Sequence, residues 1–355
     1  MTGIRKVKEA LITESQAALV TTEMNRQYLT GFHSSDGFVV ITKEKNFFLV
    51  DARYYEHAAL AAADFKVVLL KNVSEQLPPI LSKYGIETIL IENDGVSVAK
   101  FEDYKRKYPQ YEFDATSWLS DTLRNARMVK SESELKKIET AQRITERAFL
   151  KIVPRIKAGM TEKQLAAIVT YCLLEAGSDG LAFPAIVASG KNGAVPHAVP
   201  TNKMIEEGEF VTLDFGAKHD GYCSDMTRTV CVGKPSDAMR KVYDAVYSAN
   251  IDAIKSVHDL VTGKLVDNVA RSTVEVWGYD GYFTHGLGHG VGLDIHEQPT
   301  LSPASDSTLH KGMVFTIEPG VYIPNRFGVR IEDMVTINDS GCAVLTKTSK
   351  KLIIL

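Results

Sequence analysis

Phe210-Val-Thr-Leu-Asp214-Phe-Gly-Ala-Lys-His-Asp220-Gly221-Tyr-Cys-Ser-Asp225-Met-Thr-Arg-Thr-Val230 reads as a strand, a tight turn and a second strand. Asp220-Gly221 supplies the turn signal between two apolar runs. The midpoint of 214 and 225 falls at that turn. In a regular hairpin the two carboxylates therefore stand opposite one another, their Cβ atoms about 5 Å apart. Like charges so placed among apolar neighbours are destabilising unless a cation lies between them.

The pattern recurs in Val314-Phe-Thr-Ile-Glu318-Pro-Gly-Val-Tyr322-Ile-Pro-Asn325-Arg-Phe-Gly328-Val-Arg330-Ile-Glu332-Asp-Met-Val335. Here the midpoint of 318 and 332 is Asn325, although Pro319-Gly320 is expected to bend or bulge the first strand. Between the hairpins lies His285-Gly-Leu-Gly-His289-Gly-Val-Gly-Leu-Asp-Ile-His296-Glu297. Its glycines allow close backbone approach, and neutral imidazole is the commonest nitrogen ligand of transition metals. Gly286 occupies the position where a helical H-E-x-x-H zinc motif needs glutamate, so that motif is excluded.

Four carboxylates balance two divalent ions. One imidazole among so many oxygens suits Mn²⁺, Co²⁺ or Fe²⁺ better than a thiolate-rich zinc site. Two such ions about 3.5–4 Å apart lower the pKa of a shared water and stabilise the oxyanion it creates.

The rest of the chain is consistent with a soluble enzyme. At roughly 150 residues per domain, 355 residues suggest two domains. Forty-one Lys+Arg against 44 Asp+Glu leave a net charge of −3, which gives no electrostatic reason to expect nucleic acid or an anionic membrane. No apolar run approaches the ~18 residues of a membrane span. The opening MTGIRKVKEALITE reads as an amphipathic helix without the apolar core of a signal peptide, so a cytoplasmic location is expected. Cys172, Cys223, Cys231 and Cys342 show no metal-ligand spacing and read as reduced, mostly buried residues.

Residues 1–120 alternate apolar strands (17–21, 37–41, 47–50, 67–70, 88–91) with helical stretches (54–63, 74–84), an α/β unit. Tyr28–Gly37 reads as a turn-rich loop. The texture changes near a mixed-charge stretch at 125–137, followed by helical periodicity over 134–156 and a Thr161/Gln164 capping box opening 161–176. The boundary is placed near residue 125, giving domains 1–125 and 126–355. Helices are expected at 236–258 and 264–277, and the two acidic hairpins are candidates for two related halves.

The succession LDFG, SDMTRT, GLGHGVGLDIHE, TIEPG and VRIED closely resembles the pita-bread metallopeptidases, which include aminopeptidase P, prolidase and methionine aminopeptidase. NRQYLTGF and DARYYEHA resemble the creatinase-type N-terminal domain, and ARMVKSESELKKIETA resembles its linker, so the likeness spans nearly the whole chain. It implies an α+β fold: a C-terminal pita-bread catalytic domain preceded by a smaller α/β creatinase-like domain. It also implies two divalent ions, Mn or Co before Zn or Fe. By the same resemblance Asp214 binds one ion, His289 and Glu318 the other, and Asp225 and Glu332 bridge both. Glu318 doubles as acid/base, His197 faces the scissile peptide and His296 steadies the tetrahedral intermediate. His285, Arg330 and Tyr322 fall in the substrate pocket. His33, His57, His219, His258 and His310 match no such motif.

A complete ligand set argues against creatinase, and the separate N-terminal domain argues against methionine aminopeptidase. What remains is hydrolysis of an Xaa-Pro bond in proline-containing peptides, and the resemblance to proline-specific relatives, which often form dimers, implies a homodimer. Prolidases of this size commonly carry arginine shortly after the HE motif, whereas here His296-Glu-Gln-Pro-Thr300 has none. Xaa-Pro aminopeptidase is therefore the reading, Xaa-Pro dipeptidase the alternative, and a catalytically inactive binding protein the remote third.

Overall fold

The computed structural model describes residues 2–355. The chain divides into a unit running to Arg127 and a unit Met128–Leu355.

The first unit is built on a six-stranded sheet: β1 (Gln16–Val20), β2 (Phe38–Thr42), β3 (Asn46–Val50), β4 (Lys66–Leu69), β5 (Thr88–Ile91) and β6 (Glu112–Asp114), in the order β4-β3-β2-β1-β5-β6. The β1/β2 and β2/β3 pairs are antiparallel and the other three parallel. Alternate residues of one strand enter different cores. Ala18, Val20 and Phe48 pack on one face, Ala17, Leu19 and Phe47 on the other. Burial on both faces explains why these strands read as unbroken apolar runs. Helices cover both sides, among them Thr2–Ala10 on the first face and Val73–Lys83 on the second. The expected loop Tyr28–Gly37 is corrected at its start. Tyr28–Thr30 close helix Glu23–Thr30, which ends on Gly31 in the left-handed conformation (φ 69°).

The second unit contains two similar assemblies, each a helix pair packed on an acidic hairpin. Helices Glu132–Ile152 and Glu162–Glu175 share a core with Val211, Leu213, Phe215 and Val230 of the first hairpin. Each opens with a capping box, Ser131 with Glu134 and Thr161 with Gln164. Helices Asp237–Ser256 and Gly263–Val276 share another core with Phe315, Ile317, Val329 and Ile331 of the second.

Strands Ile186–Ser189, Glu209–Phe215 and Met226–Val232 form one antiparallel sheet. Glu297–Leu301, Gly288–Gly290, Val314–Ile317, Asp333–Asn338 and Gly341–Val344 form a five-stranded one, and Gly320–Ile323 pairs with Phe327–Arg330.

Arg228 locks this unit from within. The side chain is 2% exposed, yet all five of its N–H groups find acceptors. Nη1 donates to the Thr227 and Glu332 carbonyls, Nη2 to Asp333 Oδ1 and the Thr348 carbonyl, and Nε to the Ser349 carbonyl.

Candidate metal centre

The first hairpin turns on Asp220-Gly221, both at positive φ (49° and 83°), the pairing a two-residue turn of this hand requires. Its centre is thus one residue later than expected, and Asp214 lies across the ladder from Thr227, not from Asp225. This corrects the predicted register. Asp225 reaches the same place because the ladder opens just before strand Met226–Val232. Gly216 lets Ser224 approach so closely that a Cβ there would stand 1.8 Å from the Ser224 carbonyl oxygen.

The second hairpin keeps its expected centre. Val314 pairs with Thr336, Ile317 with Asp333 and Gly320 with Arg330, all in register about Asn325 (φ 59°). The bend at Pro319-Gly320 divides the ladder in two without shifting it.

Asp214, Asp225, His289, Glu318 and Glu332 line one cavity of about 280 Å³, with His197, His285, His296 and Arg330 in the same wall. Phe183, Ile186, Pro196 and Ile295 give that wall its apolar part. Tyr322 departs from expectation, since it is not a lining residue. It is buried behind the wall, its hydroxyl 2.8 Å from His285 Nε2 and 2.9 Å from Arg330 Nη1.

Asp225, His289 and Glu332 offer ligand atoms all within 4.8 Å of one another. His289 Nδ1 faces the Gly290 carbonyl at 3.1 Å, which fixes the proton on that nitrogen. Nε2 then presents its lone pair to Glu318 Oε1 at 3.4 Å and Asp225 Oδ2 at 3.7 Å. Lone pairs converging in this way lack only a cation. Asp214 Oδ1 and Asp225 Oδ1 are buried without a hydrogen-bond partner, an arrangement whose desolvation cost a bound ion would offset. The donor set fits a pair of divalent ions.

Electrostatics agrees. Burial, then repulsion from the neighbouring acids, pushes the Asp225 and Glu332 carboxyls well above the ordinary range. Burial likewise raises Glu318, to about 8. His289 and His296 are lowered by burial, and His285 falls to about 4 for the same reason, so all three rings are neutral near pH 7.

Side chains absent from the sequence reading orient the acids. Thr227 donates to Glu332 Oε2 at 2.7 Å, and Thr316 donates to Glu318 Oε1 at 3.1 Å while receiving the His289 N–H. Thr227 follows Asp225 by two and Thr316 precedes Glu318 by two, the period that puts strand residues on one face. That spacing was the available signal. Arg330 donates to Asp214 Oδ2 (2.6 Å), Thr227 Oγ1 and the Pro196 carbonyl. By contrast, Asp179, His219 and Asp220 cluster at the more exposed hairpin tip. There Asp179 accepts the Asp220 N–H, and Lys137 stands 3.7 Å from the Asp220 carboxylate.

Residues 136–339 match the family described as Metallopeptidase family M24, and residues 7–129 match the Creatinase/Prolidase N-terminal domain. An Xaa-Pro dipeptidase of Pyrococcus horikoshii is 36% identical over 99% of this chain and 98% of its own. Among solved structures, an Xaa-Pro dipeptidase from Bacillus anthracis superposes with a TM-score of 0.95 at 36% identity, covering 99% of both chains. An X-Pro aminopeptidase from Thermotoga maritima gives 0.92 at 37% identity, covering 98% of this chain and 99% of its own.

Proposed function

The chain belongs to metallopeptidase family M24, and from that premise we propose that it hydrolyses the bond between an N-terminal residue and a following proline, as an Xaa-Pro aminopeptidase. Relatives of both specificities stand at similar distance, so Xaa-Pro dipeptidase is the second reading. One observation favours the first. Arg330 is the only Lys or Arg in the cavity wall among the described residues, and its donors go to Asp214, Tyr322, Thr227 and Pro196. Four of its five N–H groups are thus taken, leaving a dipeptide's carboxylate at most one donor and no bidentate clamp. A longer peptide, whose proline carbonyl is an amide, needs none.

In this reading Asp214, Asp225, His289, Glu318 and Glu332 hold two divalent ions, manganese or cobalt first. By the family resemblance, Asp225 and Glu332 would serve as ligands to both. When bound, the ions supply Lewis acidity to the attacking water and to the substrate carbonyl. The protein's own groups do the rest. Glu318, the acid/base group the resemblance assigns, would take a proton from the attacking water and return it to the leaving proline nitrogen. His197 and the neutral His296 donate to the developing oxyanion from the cavity wall. His285, with Nδ1 directed to the Gly286 carbonyl, accepts the Tyr322 hydroxyl, and together they brace Arg330 against Asp214. Phe183, Ile186 and Pro196 suit a pyrrolidine ring. A cytoplasmic homodimer completes the proposal. The family resemblance supports the dimer, and sedimentation of the purified protein tests it.

The deciding assay compares Xaa-Pro-Yaa with Xaa-Pro in the presence of Mn²⁺. Tripeptides are expected to show the higher kcat/KM. A charge-assisted hydrogen bond to a carboxylate is worth about 1.5–3 kcal/mol, so its absence disfavours dipeptides by roughly tenfold or more. Thr300 pairs with His289 across the ladder, and Thr300→Arg should move the ratio towards dipeptides. A wild-type enzyme that cleaves dipeptides well and ignores tripeptides establishes the dipeptidase reading. Chelation should abolish turnover and Mn²⁺ restore it; full activity in a metal-free sample overturns the mechanism.

A further inference from the structure

The hairpin that carries Glu318 and Glu332 lacks one of its own hydrogen bonds. Between the Ile317/Asp333 and Gly320/Arg330 pairs, the Ile331 N–H reaches the Pro319 carbonyl at 3.4 Å. The return bond cannot form, because proline has no N–H to offer the Ile331 carbonyl. That carbonyl belongs to the peptide unit that leads into Glu332.

The missing donor comes from a helix. Asn250, fully buried in Asp237–Ser256, directs Nδ2 to the Ile331 carbonyl at 3.4 Å and to the Ile317 carbonyl at 3.0 Å. A single amide thus holds the residues immediately ahead of both glutamates. Its orientation is fixed from the other side, where Lys350 Nζ donates to Asn250 Oδ1 at 2.6 Å. A lysine can only donate, so the oxygen must face it and the nitrogen must face the strands. Lys350 is itself held by Asp333, and its backbone carbonyl accepts the Tyr243 hydroxyl at 3.0 Å. The helix residues around Asn250 are apolar: Val246, Ala249 and Ala253 all lie in the core. A polar side chain there is costly unless every one of its groups is matched. Here each is matched, and the matches converge on the two strands that present glutamate.

We propose that Asn250 is a positioning residue of the metal centre: oriented by Lys350, its amide stands in for the N–H that Pro319 lacks and sets the spacing between Glu318 and Glu332. The inference rests on the reading of those glutamates as metal ligands.

The test uses the full-length protein, stripped of metal and titrated with Mn²⁺ against a chelating indicator. Co²⁺ absorption, kcat and KM on an Xaa-Pro-Yaa peptide, and the thermal midpoint of the metal-free form are recorded alongside. Asn250→Asp keeps the size and Lys350's acceptor but removes the donor. It should weaken Mn²⁺ binding about 10–100-fold, the scale for groups that orient ligands. It should also shift the Co²⁺ visible bands and lower kcat more than it moves KM. Lys350→Met should act in the same direction, and Lys350→Gln, which can still donate to Asn250 Oδ1, should recover part of the loss. If Asn250→Asp fails to fold, the Lys350 pair carries the test. Variants that bind Mn²⁺ and show the Co²⁺ spectrum of wild type, whatever their thermal midpoint, overturn the inference. A wild-type protein that takes up no divalent ion overturns the metal-centre reading and this inference with it.

Discussion

Two buried glutamates of the second unit behave in opposite ways. Glu162 is 0% exposed and Glu332 1%, so burial does not separate them. Glu162 receives the N–H and hydroxyl of Ser189, the N–H and hydroxyl of Thr201, and the Asn192 amide at both oxygens. Burial alone would raise its carboxyl, but the hydrogen bonds from Thr201 and Ser189 outweigh it and the net shift is downward. Glu332 receives one side-chain donor, Thr227, faces three other acids and is pushed well up. A carboxylate whose donors come from the protein is a structural tie. One whose donors the protein withholds awaits a ligand. The same contrast separates an ion-pair network from a functional site wherever perturbed acids cluster.

The largest effect should come from the ligand side. Asp225→Asn is expected to abolish retention of both ions and to lower kcat/KM by about 10³ or more, several multiples of the roughly 1.4 kcal/mol that costs tenfold. Because it removes one of several repelling charges, the metal-free protein should melt no earlier than wild type. An earlier melt would make Asp225 a structural tie after all.

Next comes His197, in the cavity wall but outside the acid cluster. His197→Ala should keep both ions and lose roughly 10²–10³ in kcat, the scale of one transition-state hydrogen bond. Metal loss in this variant would move His197 to the ligand side.

Glu162→Gln reverses the first pattern. It should destabilise the fold by about 1–3 kcal/mol, since donors at Ser189 and Thr201 lose a charged acceptor, while Mn²⁺ content stays at wild type. Any fall in kcat should be modest and act through the 189–201 stretch that carries His197. A drop in metal content comparable to that of Asp225→Asn would erase the distinction.

The smallest effect is a pH trend. A carboxyl raised in the fold binds more protons there than in the unfolded chain. Its contribution to stability is therefore present below its ordinary pKa and lost as pH rises through the folded value. For Glu318 that window runs from 4.5 to about 8. Thermal midpoints of the metal-free protein should fall from pH 6 to pH 8. Mn²⁺ should cancel the fall and release protons as it binds. A metal-free midpoint that rises across this range contradicts the assignment.

What the sequence disclosed was whatever local chain geometry determines. Asn325 could be located as the centre of the second hairpin, because register counted from a turn propagates through a regular ladder even past Pro319. The first hairpin was misjudged by one position because Asp220 and Gly221 share the turn, and a one-residue error changes which residue faces Asp214. Tyr322 matched a pocket position in the resemblance, yet its hydroxyl is engaged by His285 and Arg330 behind the wall. Asn250 and Lys350 gave no signal at all. Asn250 lies 67 residues before Ile317 and 100 residues before Lys350, and only tertiary packing brings both to the glutamate strands. Helix Val98–Lys107 was also missed, its apolar face reduced to residues such as Phe101 and Tyr104 among charged neighbours.

Arg228 has a consequence for how the protein opens. Its guanidinium joins strand Met226–Val232 to the backbone of Thr348 and Ser349, and the Cys231 and Leu355 N–H groups complete the seam by bonding Ile353 and Cys231 carbonyls. Peeling residues 348–355 away would strand a buried cation short of acceptors, so partial detachment is penalised from its first step. In native-state hydrogen exchange the amides of Cys231 and Leu355 should therefore exchange together, at the rate of global unfolding and not of a fraying edge.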